Sequence, residues 1–201
     1  KTFNDRYWNA ERDCLYDVLD GPEGHDPAIR PNQVFAISLD HPVLERDRWP
    51  AVLDTIRNRL LTPYGLRTLS ADHPDYKSHY RGDLRARDAA YHQGTVWPWL
   101  IGHYIDAVLK LNNDPTQARQ SLLGFREHLY DAGIGSISEI FDGEDPYSPG
   151  GCIAQAWSVG EELGARAVQR RSTVPIRRFA FAASVVLAVG VVTYLALPVG
   201  D

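Results

Sequence analysis

Tyr91-His92-Gln93-Gly94-Thr95-Val96-Trp97-Pro98-Trp99 places two tryptophans, a tyrosine, a histidine and an amide within nine residues. Gly94 lets the backbone turn, and Trp97, Leu100, Ile101, Tyr104, Ile105, Val108 and Leu109 then recur at helical spacing. The stretch therefore reads as the polar, aromatic opening of an apolar helix. Flat aromatic faces beside amide and imidazole groups suit a sugar ring, which offers apolar C–H faces for stacking and hydroxyls for hydrogen bonds. The same letters also suit a buried aromatic helix start with a hydrogen-bonded core histidine, and the stretch alone does not separate the two.

Outward from it, apolar and amphipathic helices alternate. Asp26 to Gln33, with Pro31 suited to a first helical turn, leads into the apolar run Val34 to Leu39, an inner helix. Leu44 to Leu61 keeps Trp49, Val52, Leu53, Ile56 and Leu60 on one face, with Glu45, Asp47, Arg57 and Arg59 on the other, an outer helix stopped at Thr62-Pro63-Tyr64-Gly65. Arg67 to Ala90 reads as a long functional loop. Asp114-Pro115 launches a fourth helix to about Asp131, and a fifth runs from Gly151-Cys152 to Ala167. Residues 1–24 read as irregular, with Asp17 and Asp20 either sugar-hydroxyl acceptors or turn acids.

Polar or glycine-rich clusters thus precede the apolar helices after Arg30, Gly94 and Gly151. Stacked helical hairpins would bring those N-termini, with their free N–H groups and positive dipole ends, to one end of a ring. The expected fold is all-α: part of an (α/α)6 toroid with its site at that end.

Composition narrows the chemistry. The chain has 201 residues and a net charge of −5, with no basic stripe in its first 160 residues, so nucleic acid is not expected as a partner. Its two cysteines, Cys14 and Cys152, form no metal-binding pattern; no metal and no cofactor are expected, and a reducing compartment suits them. The sequence holds no methionine and begins at Lys1, so it reads as a processed product or a fragment, the latter being favoured.

Five stretches in one order then carry a resemblance: Arg30-Pro31-Asn32-Gln33, Gly65-Leu66-Arg67-Thr68-Leu69, Tyr91 to Trp99, Ser138-Glu139-Ile140-Phe141-Asp142-Gly143, and Gly151-Cys152 through Gln155-Ala156-Trp157-Ser158. Together, over about Leu15 to Gly164, they resemble the C-terminal part of the glycogen debranching enzyme family, its amylo-α-1,6-glucosidase domain. The resemblance implies a six-hairpin toroid, about half of it present, that hydrolyses α-1,6-linked glucose at branch points of glycogen or limit dextrin.

Such hydrolysis needs two carboxyl groups, set about 6.5–9.5 Å apart when configuration inverts. Glu139, a loop carboxylate beside Phe141, is the candidate base and matches the family's catalytic glutamate; a solvated loop glutamate is the alternative. The family's acid is an aspartate in an upstream tryptophan-glycine-arginine-aspartate motif. Neither Asp17, Asp20 nor Asp88 matches it, so the acid is expected upstream of this chain. Asp20, Arg30, Asn32, His92 and Gln93 are candidate hydroxyl partners, and Trp97 a stacking wall. Arg30 could instead only pair with Asp26, and Trp157 reads as core. The expected function is glycoside hydrolysis, this fragment alone being inactive, with a branched α-glucan as partner. The alternative is a non-catalytic, membrane-tethered glucan-binding or inactive half-domain.

The domain reading is 1–168 glucosidase part, 169–178 basic linker and 179–200 apolar helix. Phe179 to Gly200 carries no charge and is long enough to span a bilayer. Arg170, Arg171, Arg177 and Arg178 precede it, so residues 179–197 would anchor a cytoplasmic domain to a membrane. A fusion or a shifted reading frame would give the same tail.

Overall fold

The computed structural model describes residues 2–161. The linker at 169–178 and the apolar segment at 179–200 lie outside the described residues. Among the described residues no helix is long and apolar enough to cross a membrane.

The N-terminal part is more regular than its letters suggest. Helix α1 (Thr2–Tyr7) leads into two small antiparallel hairpins, β1 (Trp8–Asn9) with β2 (Cys14–Leu15), and β3 (Val18–Gly21) with β4 (Gly24–Asp26). The stretch after Arg30 forms a 3-10 turn, Pro31–Val34, and a single turn of helix, α2 (Phe35–Ser38). Pro31 opens it as expected, but the inner helix is shorter than its apolar run. The amphipathic helix α3 spans Trp49–Arg59, burying Trp49, Val52, Leu53 and Ile56 while Arg57 pairs with Asp54 in solvent.

The all-α expectation needs correction. A five-stranded antiparallel sheet joins the helices: β5 (Leu61–Thr62), β6 (Gly65–Arg67), β7 (Val96–Trp97), β8 (Ile140–Phe141) and β9 (Pro149–Gly150), paired in that order. Each strand is two or three residues long. That is too short for the alternation that betrays a strand in sequence. Proline disfavours helical backbone in the residue before it, and here Pro98 follows β7. The helix expected from Tyr91 accordingly begins only at Leu100.

That helix, α5 (Leu100–Asn112), is the core element. Leu100, Ile101, Tyr104, Ile105, Ala107 and Val108 are all buried, so it is apolar nearly all round, as an inner helix must be. It packs against α2 and α3. The long loop holds α4 (Leu84–Ala90), capped by Asp83, whose carboxylate accepts from the Ala86 N–H at 2.8 Å. Asp114 caps as expected, accepting from Thr116 and Gln117, but the helix it launches breaks at Ser121–Leu122 into α6 (Pro115–Gln120) and α7 (Leu123–Asp131). Gly151 to Gln155 is not helical; residues 156–161 are.

Candidate active site

The sheet builds the site. Val96 of β7 pairs with Phe141 of β8, which sets the Tyr91–Thr95 turn beside the Ile137–Glu139 loop. The turn itself is locked. The Tyr91 carbonyl accepts from Thr95 Oγ1 at 2.7 Å and from Trp97 Nε1 at 3.0 Å, and the Gly94 N–H donates to Thr68 Oγ1 at 2.9 Å. Gly94 has φ +144°, and a Cβ there would stand 2.5 Å from the Lys77 carbonyl oxygen, so only glycine fits.

Glu139 is held on both carboxylate oxygens. Oε1 accepts from the Tyr91 hydroxyl at 2.5 Å, and Oε2 accepts from the Cys152 N–H at 2.8 Å. The Glu139 N–H donates in turn to the Cys152 carbonyl at 2.9 Å. Gly151, at φ +69°, makes room, because a Cβ on it would lie 2.5 Å from Oε2. Burial first, then the hydrogen bond to Glu139 and its charge, push the Tyr91 phenol far above its ordinary value, so it remains a donor. From behind, buried His128 accepts the Ser138 N–H on Nε2 at 3.2 Å and sets its ring against Phe141. Burial lowers the His128 pKa, which keeps that nitrogen an acceptor.

On the same turn, His92 and Gln93 line a polar cleft of about 470 Å³ with Asp17, Asp26, Arg30, Asn32 and Asp88. Arg30 organises it. Its Nη1 donates to the carbonyls of Thr68 at 3.1 Å and His92 at 2.7 Å, its Nη2 to Gln93 Oε1 at 2.6 Å, and its Nε faces Asp17 at 3.5 Å. Arg30 thus clamps the turn to the N-terminal hairpins, and its partner is Asp17; Asp26 instead accepts from the Ala28 N–H. Asn32 Nδ2 donates to the other Asp17 oxygen at 3.3 Å. Burial raises the Asp17 pKa, with Asn32 and Arg30 partly opposing it. His92 is lowered, by partial burial first and then by the Arg30 charge, which favours a neutral imidazole with one donor and one acceptor.

The structure therefore brings Arg30, Asn32, His92 and Gln93 to one cleft and joins Glu139 to it through the Tyr91–Gln93 turn. Asp20 lies elsewhere. Its side chain is 65% exposed on the β3–β4 hairpin, at φ +55°, paired with Arg6 and near His25. Asp17, 14% exposed, holds the position in the cleft for which Asp20 was read. Of the two acids offered as hydroxyl acceptors or turn acids, the cleft takes Asp17, whereas Asp20 lies in β3 of the exposed hairpin. Trp97 is 5% exposed, its indole N–H is taken by Tyr91, and His92 stacks on it at 5.2 Å. Trp157, read as core, is instead half exposed, against Trp97 and Trp99 at 6.0 and 6.1 Å.

Residues 1–164 match the family model described as amylo-alpha-1,6-glucosidase.

Proposed function

The chain belongs to the amylo-α-1,6-glucosidase family over residues 1–164, and on that footing we propose that it carries the base side and part of the sugar pocket of an α-1,6-glucosidase acting on branched α-glucan. The observation that carries this reading is the Glu139 carboxylate, anchored through both oxygens by Tyr91 and the Cys152 N–H, on the turn that also lines the polar cleft. Each carboxylate oxygen keeps a second lone pair, enough to take a proton from a water.

In the inverting reaction Glu139 accepts that proton as the water oxygen bonds to the anomeric carbon, and the glycosidic oxygen leaves with a proton from a carboxylic acid on the other face. That acid is assigned outside this chain, since no aspartate here matches the family motif. Asp17, Asn32, His92 and Gln93 meet sugar hydroxyls. Arg30 acts on the pocket through the turn it holds. The adjacency of α2 to α5, and of Gly102 on α5 to Glu161 of the last described helix, supports neighbouring inner helices of an α/α toroid.

The test is Glu139→Gln in the full-length protein. Turnover of a branched limit dextrin falls at least about a hundredfold while glucan affinity stays within a few-fold, since the amide keeps the shape but cannot take the proton. A variant retaining more than about a tenth of wild-type turnover removes Glu139 as the base.

A further inference from the structure

The hydrogen bond from Tyr91 to Glu139 does more than satisfy a phenol. At 2.5 Å it has the length of a charge-assisted O–H···O⁻ contact. Tyr91 cannot easily withdraw it. Its ring meets Trp97 at 4.8 Å and Tyr80 at 5.6 Å, and its carbonyl is fixed by two donors. The next two residues, His92 and Gln93, face the cleft and are clamped by Arg30. The carboxylate is therefore referenced to the same few backbone atoms that position the sugar.

We propose that Tyr91 is a positioning residue for Glu139, its hydroxyl fixing Oε1 so that the carboxylate's remaining lone pairs are aimed at the attacking water. This rests on Glu139 being the base. The Cys152 N–H fixes only Oε2. Without the phenol the carboxylate would pivot about that one anchor, and misplacing a reacting group by even an ångström is costly in rate while leaving sugar contacts intact.

The experiment uses the full-length protein on a branched limit dextrin. Tyr91→Phe lowers kcat about tenfold with KM within about twofold. Replacing Tyr91 by 3-fluorotyrosine, which keeps the donor, restores kcat to within about twofold of wild type. Combining Tyr91→Phe with Glu139→Gln gives a variant no slower than Glu139→Gln alone, because the phenol acts only through that carboxylate. A Tyr91→Phe enzyme with wild-type kcat, beside an inactive Glu139→Gln, overturns the positioning role and leaves the base in place. A loss that falls on KM alone, or that fluorotyrosine does not rescue, overturns it as well. An active Glu139→Gln overturns the base and this role together.

Discussion

Val96 and Phe141 face each other across the antiparallel pair β7–β8, and that single register places the Tyr91 turn against the Glu139 loop. Residues 97–140, which include α5, α6 and α7, lie between these two partners in the chain. Helix packing by itself would not align a side chain of the turn with a carboxylate of the loop. Short strands do so because a ladder fixes which residues stand opposite.

The tightest point of that assembly is Gly94. Gly94→Ala would force an L-residue into φ +144° and drive its Cβ against the Lys77 carbonyl and the Tyr76 ring. The variant is expected to lose about 2–4 kcal/mol, since backbone strain of this kind costs roughly 1–3 kcal/mol before any clash. Denaturant unfolding measures it. Gly24→Ala is the control: its φ of +101° is also left-handed, but open space surrounds it, so the loss there should be smaller.

Arg30 gives a prediction that separates clamping from sugar contact. Its guanidinium serves Thr68, His92 and Gln93 at once, with Asp17 on its Nε side, a geometry a lysine ammonium cannot copy. Arg30→Lys should therefore cost about 2 kcal/mol of stability, in line with hydrogen bonds to a charged group. Asn32→Ala, whose side chain bonds Asp17 among the described residues, should leave stability within about 0.5 kcal/mol and weaken glucan binding instead. Equal stability losses in the two variants would make the clamp no more than another cleft contact.

How much of this was legible in the letters differs by element. The core helix α5 and its neighbour α3 were readable, because burial all round and burial on one side leave different periodicities. The cap at Asp114 was readable for the same local reason: its side chain bonds its own next turn. The sheet was not, since a pair such as Ile140–Phe141 gains its strand character from partners distant in sequence. Glu139 was found through the order of motifs and could not have been told from a loop glutamate by its neighbours. The Asp17 role depends on Arg30 and Asn32, which a hairpin and a 3-10 turn bring to it.

His128 predicts an acid-side weakness. Burial lowers its pKa below the ordinary 6.5, and its neutral Nε2 accepts the Ser138 N–H. The unfolded chain takes up a proton more readily, so this contribution is fully present above about 6.5 and declines as pH falls towards the lower folded value. His128→Gln, with an amide oxygen to accept the same N–H, should melt at lower temperature near neutrality, from imperfect packing, yet lose less between pH 7 and 5. Parallel melting-temperature profiles for the two proteins would remove His128 as the source.

Asp17 and Asp20, three residues apart, should behave oppositely. Asp17 is nearly enclosed, with Asn32 on one oxygen and Arg30 by the other, in the wall of the polar cleft. Asp20 sits in solvent on strand β3 of the β3–β4 hairpin, paired with Arg6. A surface pair of that kind contributes at most about 1 kcal/mol, so Asp20→Asn should leave both stability and glucan binding near wild type. Asp17→Asn keeps the size but loses an anionic acceptor, and Arg30 then lacks its carboxylate partner. Glucan affinity should fall about tenfold, the worth of one charged hydrogen bond at the low end of its range. Isothermal titration of the full-length Glu139→Gln protein with limit dextrin reads binding without turnover, and the two substitutions can be compared in that background. If Asp20→Asn weakens binding and Asp17→Asn does not, the sugar lies over the hairpin tip rather than in the Arg30 cleft.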